Sequence, residues 1–93
     1  MTTPLSETEL GSALARLDGW RHDEDALVKE YRFGSFVKAF GFLGSVALLA
    51  ERHAHHPEIH NVYDRVVLRL RTHDAGNTVT AADVALAEAI DAL

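Results

Sequence analysis

The sequence predicts an α+β fold, a two-layer sandwich in which three helices cover one face of a four-stranded antiparallel sheet, in the order α-β-β-α-β-β-α. Two observations indicate this fold class. Three segments carry apolar residues at helical spacing, and each follows a residue that can cap a helix. Between them lie two pairs of extended segments joined by short polar turns, as in hairpins. Helices with one apolar side each belong on one face of such a sheet.

The first helix is predicted over about residues 6–17. Ser6 and Glu9 have the spacing of a capping box, in which each side chain bonds to the other residue's backbone N–H group. The next two segments, 20–22 and 27–33, flank a polar turn and predict a hairpin, with Lys29 on its otherwise apolar side. A lysine is tolerable there because its aliphatic stem can be buried while its amine reaches water.

A long second helix is predicted over about residues 36–53, after the capping residue Ser35. Its predicted apolar stripe consists of Phe36, Phe40, Leu43, Ala47 and Ala50, widened by Val46 and Leu49. Gly41 and Gly44 each lower helix stability by about 1 kcal/mol relative to alanine. An interior glycine usually has a packing reason, so we expect both to lie against the sheet or another helix.

Pro57 marks the end of this helix, because the residue before a proline is disfavoured in the α region. Two extended segments follow, 58–63 and 65–73, with a turn near Asp64. One side of the second segment consists of Val66, Leu68 and Leu70. By the alternation of a strand, His73 falls on the other, more polar side, at the strand end.

The third helix is predicted to begin after Thr80, beyond a loop at residues 74–77. Thr80 and Asp83 form a variant capping box, with aspartate in place of glutamate or glutamine. The apolar stripe of this helix consists of Ala82, Leu86, Ala89, Ile90 and Leu93.

Length and composition predict a single small domain over residues 1–93, which we expect in the cytoplasm. The chain has 9 basic and 14 acidic residues, a formal charge of −5, which argues against nucleic acid or an anionic membrane as the main partner. The absence of cysteine excludes disulfides and thiolate catalysis. The start lacks the features of a secretory signal, and no apolar stretch approaches the roughly 18 residues of a membrane span. A core of this size would gain from burial against a partner chain.

Histidine is the unusual feature of the composition, since four of the six histidines fall between His53 and His60. Imidazole can give and take protons near neutral pH. His55 and His56 come where the second helix ends, and the partial negative charge of a helix C-terminus favours imidazolium. The loop after His73 could bring that residue to the same cleft, so that an acid and a base would flank one substrate.

Other interpretations of these residues stay open. The histidines could be solvated surface residues, or ligands of a metal ion. Adjacent His55 and His56 are poorly placed to bind one ion together, and no HExxH spacing exists. A lone aspartate such as Asp83 is more often a helix cap than a catalytic group. Glu51 could simply pair with a neighbouring cation.

A longer pattern takes the interpretation further. The run Glu51-x3-His55-His56-Pro57-x5-Tyr63-x9-His73-x9-Asp83 resembles the signature of the pterin-4a-carbinolamine dehydratases. The likeness extends over nearly the whole chain, and outside the signature it includes Gly19-Trp20, Phe33, Ala39-Phe40-Gly41-Phe42 and Val46-Ala47-Leu48. Departures are small: many members have aromatic residues at the positions of Ile59 and His60.

The resemblance implies the same fold and an enzyme that removes water from 4a-hydroxytetrahydropterin to give quinonoid dihydropterin, recycling the pterin cofactor of aromatic amino-acid hydroxylases. Carried over by position, the catalytic residues would be His55, His56 and His73. His55 and His73 would be the acid/base pair, and His56 would chiefly bind and orient the pterin. Pocket residues would be Pro57, Thr72 and Asp74, with Glu51 and Asp83 as supporting carboxylates.

The same resemblance implies no metal and no cofactor, a small-molecule pterin substrate, and a homodimer or homotetramer. Some members of the family act instead as binding partners of other proteins. The alternative function is therefore a non-catalytic interaction or assembly module of the same fold. A histidine metal-binding protein is the alternative outside the family.

Overall fold

The computed structural model describes residues 3–93 and confirms the predicted α+β sandwich and its order of elements. The elements are α1 (Glu7–Arg16), β1 (Arg21–Asp23), β2 (Ala26–Arg32), α2 (Phe36–Arg52), β3 (Glu58–Val62), β4 (Arg65–Leu70) and α3 (Ala81–Asp91). All strand pairs are antiparallel, in the spatial order β1-β2-β4-β3. Met1 and Thr2 lie outside the described residues. They belong to the predicted 1–93 domain and to the start of the chain, which lacks the features of a secretory signal.

One face of the sheet is covered by the helices. Val66, Leu68 and Leu70 alternate along β4 and are fully buried, as their spacing predicts. Leu27 of β2 lies opposite Leu70 in the register and joins the same core. The core continues into the helices with Ala13 and Leu17, Leu43 and Val46, and Leu86 and Ile90. This packing fixes where the end of α2 lies relative to the end of β4.

Both predicted capping boxes are present. Ser6 Oγ accepts a hydrogen bond from the Glu9 backbone at 3.1 Å, and Glu9 Oε1 accepts one from the Ser6 N–H at 2.9 Å. The backbone and side-chain bonds to Ser6 hold the pKa of the exposed Glu9 carboxyl below its usual value. At α3, Asp83 Oδ2 accepts the N–H of Thr80 at 2.9 Å. Asp83 is therefore a cap, as its position predicts.

The predicted apolar stripe of α2 is wrong in part. Its core-facing residues are Ala39, Leu43, Val46 and Ala50, whereas Phe36 and Phe40 are 48% and 59% exposed. An outer face of α2 is instead formed by Phe36, Val37, Phe40, Gly41, Gly44, Ala47 and Leu48. A Cβ atom added at Gly41 or Gly44 would meet nothing within 4 Å, so neither glycine packs against the sheet or another helix of the described chain. Both sides of this helix are apolar, and spacing alone favoured the wrong one.

Lys29 is accommodated as predicted, with a half-buried stem on the helix-covered side of β2. Its Nζ donates to the backbone oxygen of Asp18 at 2.9 Å and to Asp91 Oδ1 at 3.2 Å. Trp20 Nε1–H donates to the same Asp91 oxygen at 3.0 Å. These bonds join the turn after α1 to the end of α3.

Tyr31 lies beside this cluster, with Lys29 Nζ 5.1 Å from the centre of its ring. Its hydroxyl is buried and has no hydrogen-bond partner within residues 3–93. Burial, and then the charge of Asp91, raise the pKa of Tyr31 above its ordinary value. The hydroxyl therefore stays neutral inside the protein.

Candidate active site

The end of α2 is a Schellman motif that sets the position of His55. The Ala54 N–H donates to the Glu51 carbonyl at 3.1 Å, and the His55 N–H donates to the Ala50 carbonyl at 3.0 Å. Ala54 takes the left-handed conformation that this motif requires, with φ of 50°. The chain thus reverses before Pro57 and brings His55 back over the last turn of the helix.

His73 is not at a strand end, contrary to the prediction from alternation. β4 ends at Leu70, and Thr72 then pairs with Thr78 through a single bridge, with a 2.8 Å bond from the Thr72 N–H to the Thr78 carbonyl. The bridge closes a small loop, in which His73–Ala75 form a 3-10 turn that ends at Gly76. Gly76 has φ of 78°, a conformation natural to glycine. His73 is therefore exposed on a turn.

The ends of α2 and β4 enclose one pocket of about 430 Å³. Its lining consists of Ala54, His55, His56, Pro57, Glu58, Arg71, Thr72, His73 and Asp74. Six of these nine are residues that the sequence analysis singled out. His55 and His56 follow α2, whereas His73 follows β4. Three imidazoles that differ in solvent exposure therefore line one cavity.

His55 is held by a buried carboxylate. Its Nε2 bonds to Asp83 Oδ1, and the His55 side chain is 14% exposed while that of Asp83 is fully buried. The other Asp83 oxygen, Oδ2, accepts from the Thr72 hydroxyl at 2.8 Å and from the Thr80 N–H. Asp83 does not line the pocket but lies behind His55, and it combines capping of α3 with orientation of the imidazole.

His56 has a different environment from its neighbour. Its Nε2 lies 2.5 Å from Glu51 Oε2, and the two side chains are 66% and 76% exposed. Glu51 therefore pairs with the neighbouring His56 imidazole. The exposed His56–Glu51 pair lies at the rim, where it can contact a bound ligand. The His55–Asp83 pair is buried, so its geometry is set before any ligand binds.

Three lining residues were not among the sequence-predicted site: Ala54, Glu58 and Arg71. Arg71 Nε donates to Glu58 Oε2 at 2.7 Å, so a charge pair forms one wall. Glu58 directly follows Pro57 of the signature, and Arg71 lies two residues before His73. Proximity to the signature is the signal that could have found them.

Among the signature residues, Tyr63 neither lines the pocket nor bonds to a residue that does. Tyr63 lies in the turn between β3 and β4, 62% exposed and with φ of 52°. Ile59 and His60, the positions where the sequence departs from the family pattern, are exposed residues of β3 and also lie outside the pocket lining. The departures therefore leave the lining of the histidine pocket unchanged.

The described residues form neither a metal site that includes the histidines nor a second histidine-lined pocket among those described below. Within residues 3–93, no group of three or more His, Asp or Glu side chains is arranged to hold a metal ion. A second hollow of about 440 Å³ lies between α1 and α3, and its lining includes Glu9, Arg16 and Glu88 but no histidine. No helix in this part of the chain has the length and apolar character needed to cross a membrane.

Comparison with known proteins gives one consistent result. Residues 3–93 match the family model described as pterin 4 alpha carbinolamine dehydratase. A protein of Opitutus terrae named "Putative pterin-4-alpha-carbinolamine dehydratase" is 53% identical over 94% of this chain and 90% of its own length. A protein of Solibacter usitatus with the same name is 50% identical over 100% of this chain and 97% of its own.

Two solved structures resemble the fold. The crystal structure of a transcriptional coactivator/pterin dehydratase from Brucella melitensis superposes with a TM-score of 0.90 and 41% identity, covering 96% of both chains. A pterin dehydratase-like protein identified as a RuBisCO assembly factor in the alpha-carboxysome superposes with a TM-score of 0.67 and 28% identity, covering 80% of this chain and 87% of the other. The likeness therefore spans proteins described as dehydratases and one described as an assembly factor.

Proposed function

Since this chain belongs to the pterin-4a-carbinolamine dehydratase family, we propose that it dehydrates 4a-hydroxytetrahydropterin to quinonoid dihydropterin. One observation carries the proposal: His55, His56 and His73 line a single pocket, and a buried carboxylate holds one of them. The pocket thus contains the proton donors and acceptors that the reaction needs. The product would return to the cycle of an aromatic amino-acid hydroxylase.

The reaction is an elimination of water and needs no oxidant or reductant. The C4a–O bond breaks while the lone pair of N5 forms a C4a=N5 double bond. A general acid protonates the departing oxygen, so that it leaves as water. A general base then takes the proton from N5. Two imidazoles, one protonated and one neutral, suffice for both transfers.

We assign the role of acid to His55 and that of base to His73. Asp83 fixes the orientation of the His55 imidazole and balances the charge of its protonated form. His73 lies on the opposite segment of the same pocket and is exposed, so it can release the N5 proton to water. His56, at the rim with Glu51, would bind and orient the pterin.

The remaining residues would shape the pocket. Pro57, Thr72 and Asp74 belong to its lining, which supports the proposal that they contact or enclose the pterin. Glu51 and Asp83 support it as the carboxylates that pair with His56 and His55. The chemistry described above involves only protons and the substrate's own electron pairs, so we propose that no cofactor takes part.

We further propose that the protein works as a homodimer or homotetramer in the cytoplasm. The outer face of α2 supports assembly, because Val37 and Leu48 are 80% and 75% exposed and lie beside two glycines with open space above them. A contiguous exposed apolar surface of this kind marks an interaction site. The absence of cysteine suits a reducing compartment.

A second candidate function is a non-catalytic interaction or assembly module. Two observations favour it: the likeness to a RuBisCO assembly factor and the apolar outer face of α2. Against it stands the retention of all three pocket histidines together with Asp83. An assembly role alone gives no reason for a buried carboxylate to orient an imidazole.

A direct dehydration assay tests the proposal. 4a-Hydroxytetrahydropterin is generated enzymatically, and its loss is followed with and without the protein. The uncatalysed reaction is also measurable because the N5 lone pair assists it, so every rate is corrected for this background. We expect catalysis by the wild type and not by a folded His55→Ala, His73→Ala double variant. A wild type that adds nothing to the background rate rejects the enzyme and leaves the assembly module.

A further inference from the structure

The Thr72 hydroxyl is directed into the protein, although Thr72 belongs to the lining of the pocket. The residue is 7% exposed, and its Oγ1 lies 2.8 Å from both Asp83 Oδ2 and Thr80 Oγ1. A hydroxyl has one proton to donate. Since Thr72 donates to the carboxylate, the hydroxyl of Thr80 donates to Thr72. Thr80 Oγ1 in turn accepts the Ala82 N–H at 3.2 Å. Ala82, Thr80, Thr72 and Asp83 thus form a chain of hydrogen bonds, in which each residue donates to the next.

This chain determines how Asp83 meets His55. Both donors, the Thr72 hydroxyl and the Thr80 N–H, lie on Oδ2, which leaves Oδ1 for the imidazole. The bond to Oδ1 is made by Nε2 of His55. Nδ1 of the same ring has no hydrogen-bond partner within residues 3–93. A carboxylate held in this way accepts from Nε2–H, so the neutral ring carries its proton on Nε2.

We infer that Thr72 is a positioning residue for His55: its hydroxyl holds the Asp83 carboxylate, and the carboxylate keeps His55 in the tautomer whose Nδ1 is free to exchange a proton with the substrate. The catalytic meaning of this inference rests on the proposed function. The tautomer itself is a property of the protein alone, so it is measurable whether or not the protein is a dehydratase.

The test compares Thr72→Val, which removes the hydroxyl at nearly constant shape, with Thr72→Ser, which keeps it. Thr78→Val is the matched control, because Thr78 lies across the bridge from Thr72 and its hydroxyl has no bond to Asp83. Nitrogen-15 spectra of the neutral His55 ring report which nitrogen is protonated. We expect the Nε2–H form in the wild type, in Thr72→Ser and in Thr78→Val, and a mixture of both tautomers in Thr72→Val.

The kinetic expectation is a loss of turnover without a loss of affinity. Thr72→Val should lower kcat by about ten-fold, a fraction of the about 10²–10⁴-fold that an acid–base group contributes. KM should stay within about two-fold, because Thr72→Val keeps the shape of the pocket lining and removes only a hydroxyl that is bonded to Asp83 and Thr80. Thr72→Ser should restore kcat. A pure loss of packing would not change the ring tautomer and would not be rescued by serine.

The outcomes separate this inference from the proposed function. An unchanged His55 tautomer in Thr72→Val overturns the inference, whatever the activity. A changed tautomer in a protein without dehydratase activity supports the positioning role and rejects the enzyme. If Thr72→Val does not fold, the wild type decides: the Thr72 hydroxyl proton should exchange slowly with water and show contact with the Asp83 side chain in proton spectra. A rapidly exchanging hydroxyl proton overturns the inference.

Discussion

His55 and Asp83 are 28 residues apart in the chain, yet a hydrogen bond joins His55 Nε2 to Asp83 Oδ1 behind the pocket. His55 follows the Schellman motif of α2, and Asp83 belongs to the first turn of α3. The bond therefore depends on how the two helices pack on the sheet. The local structure at each helix end positions one of the two residues, and the packing of the helices brings the residues together.

The first prediction concerns the acid/base pair. His55→Ala and His73→Ala should each lower kcat by about 10²–10⁴-fold, the usual contribution of a general acid or base. Background-corrected dehydration rates measure the effect, with circular dichroism to verify folding. His53→Ala and His60→Ala are controls, since both residues are exposed and lie outside the pocket lining. Near-normal activity of the folded double variant, or equal damage from His53→Ala, would contradict the assignment.

The second prediction concerns His56. His56→Ala should raise KM and leave kcat within a few-fold, because a group that binds substrate and transition state alike changes affinity rather than turnover. Its exposed pairing with Glu51 at the rim is the structural reason to expect a binding role. Initial rates over a range of pterin concentrations separate the two constants. A large fall in kcat at unchanged KM would move His56 into the acid/base pair.

The third prediction concerns metal ions. Incubation with a chelator, followed by its removal, should leave the dehydration rate unchanged, because the proposed proton transfers are made by imidazoles. Added zinc should not raise the rate either. The control is the uncatalysed reaction under the same chelator and metal concentrations. Activity that is lost with the chelator and restored by zinc would establish the metal-binding alternative.

The fourth prediction concerns assembly. Phe40→Glu should lower the molar mass measured by light scattering at micromolar concentration, because it places a charge on the apolar outer face of α2. Lys38→Glu is the matched control: it introduces the same side chain on the exposed surface of the same helix, outside that face. A monomeric wild type would reject the proposed oligomer. An unchanged mass for Phe40→Glu would place the interface elsewhere.

The fifth prediction concerns the buried Tyr31 hydroxyl. Tyr31→Phe should leave the free energy of unfolding unchanged or raise it by up to about 1 kcal/mol, because it removes a buried group that lacks a partner. Urea unfolding at equal protein concentration measures the change. Tyr63→Phe, at a 62% exposed position, is the control and should have little effect. A loss of more than about 1 kcal/mol for Tyr31→Phe would show that the hydroxyl is satisfied in solution.

Local sequence signals predicted the elements well, because their physical causes are local. The Ser6–Glu9 and Thr80–Asp83 boxes involve residues three apart, and the alternation of Val66, Leu68 and Leu70 depends only on strand geometry. The outer face of α2 was misassigned because hydrophobic spacing cannot tell which of two apolar sides meets the core. That choice depends on the sheet, which is distant in sequence.

The sequence predicted the residues of the site but not the hydrogen bonds that join them. The signature identified the histidines, yet the path from Thr72 through Asp83 to His55 joins three separate segments. His73 was placed at a strand end because alternation continued to that residue. The bridge between Thr72 and Thr78 ends the ladder earlier, and a pairing with a segment six residues onward is invisible to a period-two pattern.

The length of α2 is constrained at both ends. Its first turns contribute Phe36 and Phe40 to the outer face, and its last turn leads through the Schellman motif to His55 and His56. One residue inserted between them would rotate one end about the helix axis by about 100° relative to the other. Either the outer face would turn towards the sheet, or the histidines would leave Asp83 and Glu51. We therefore expect insertions and deletions to be excluded from this helix.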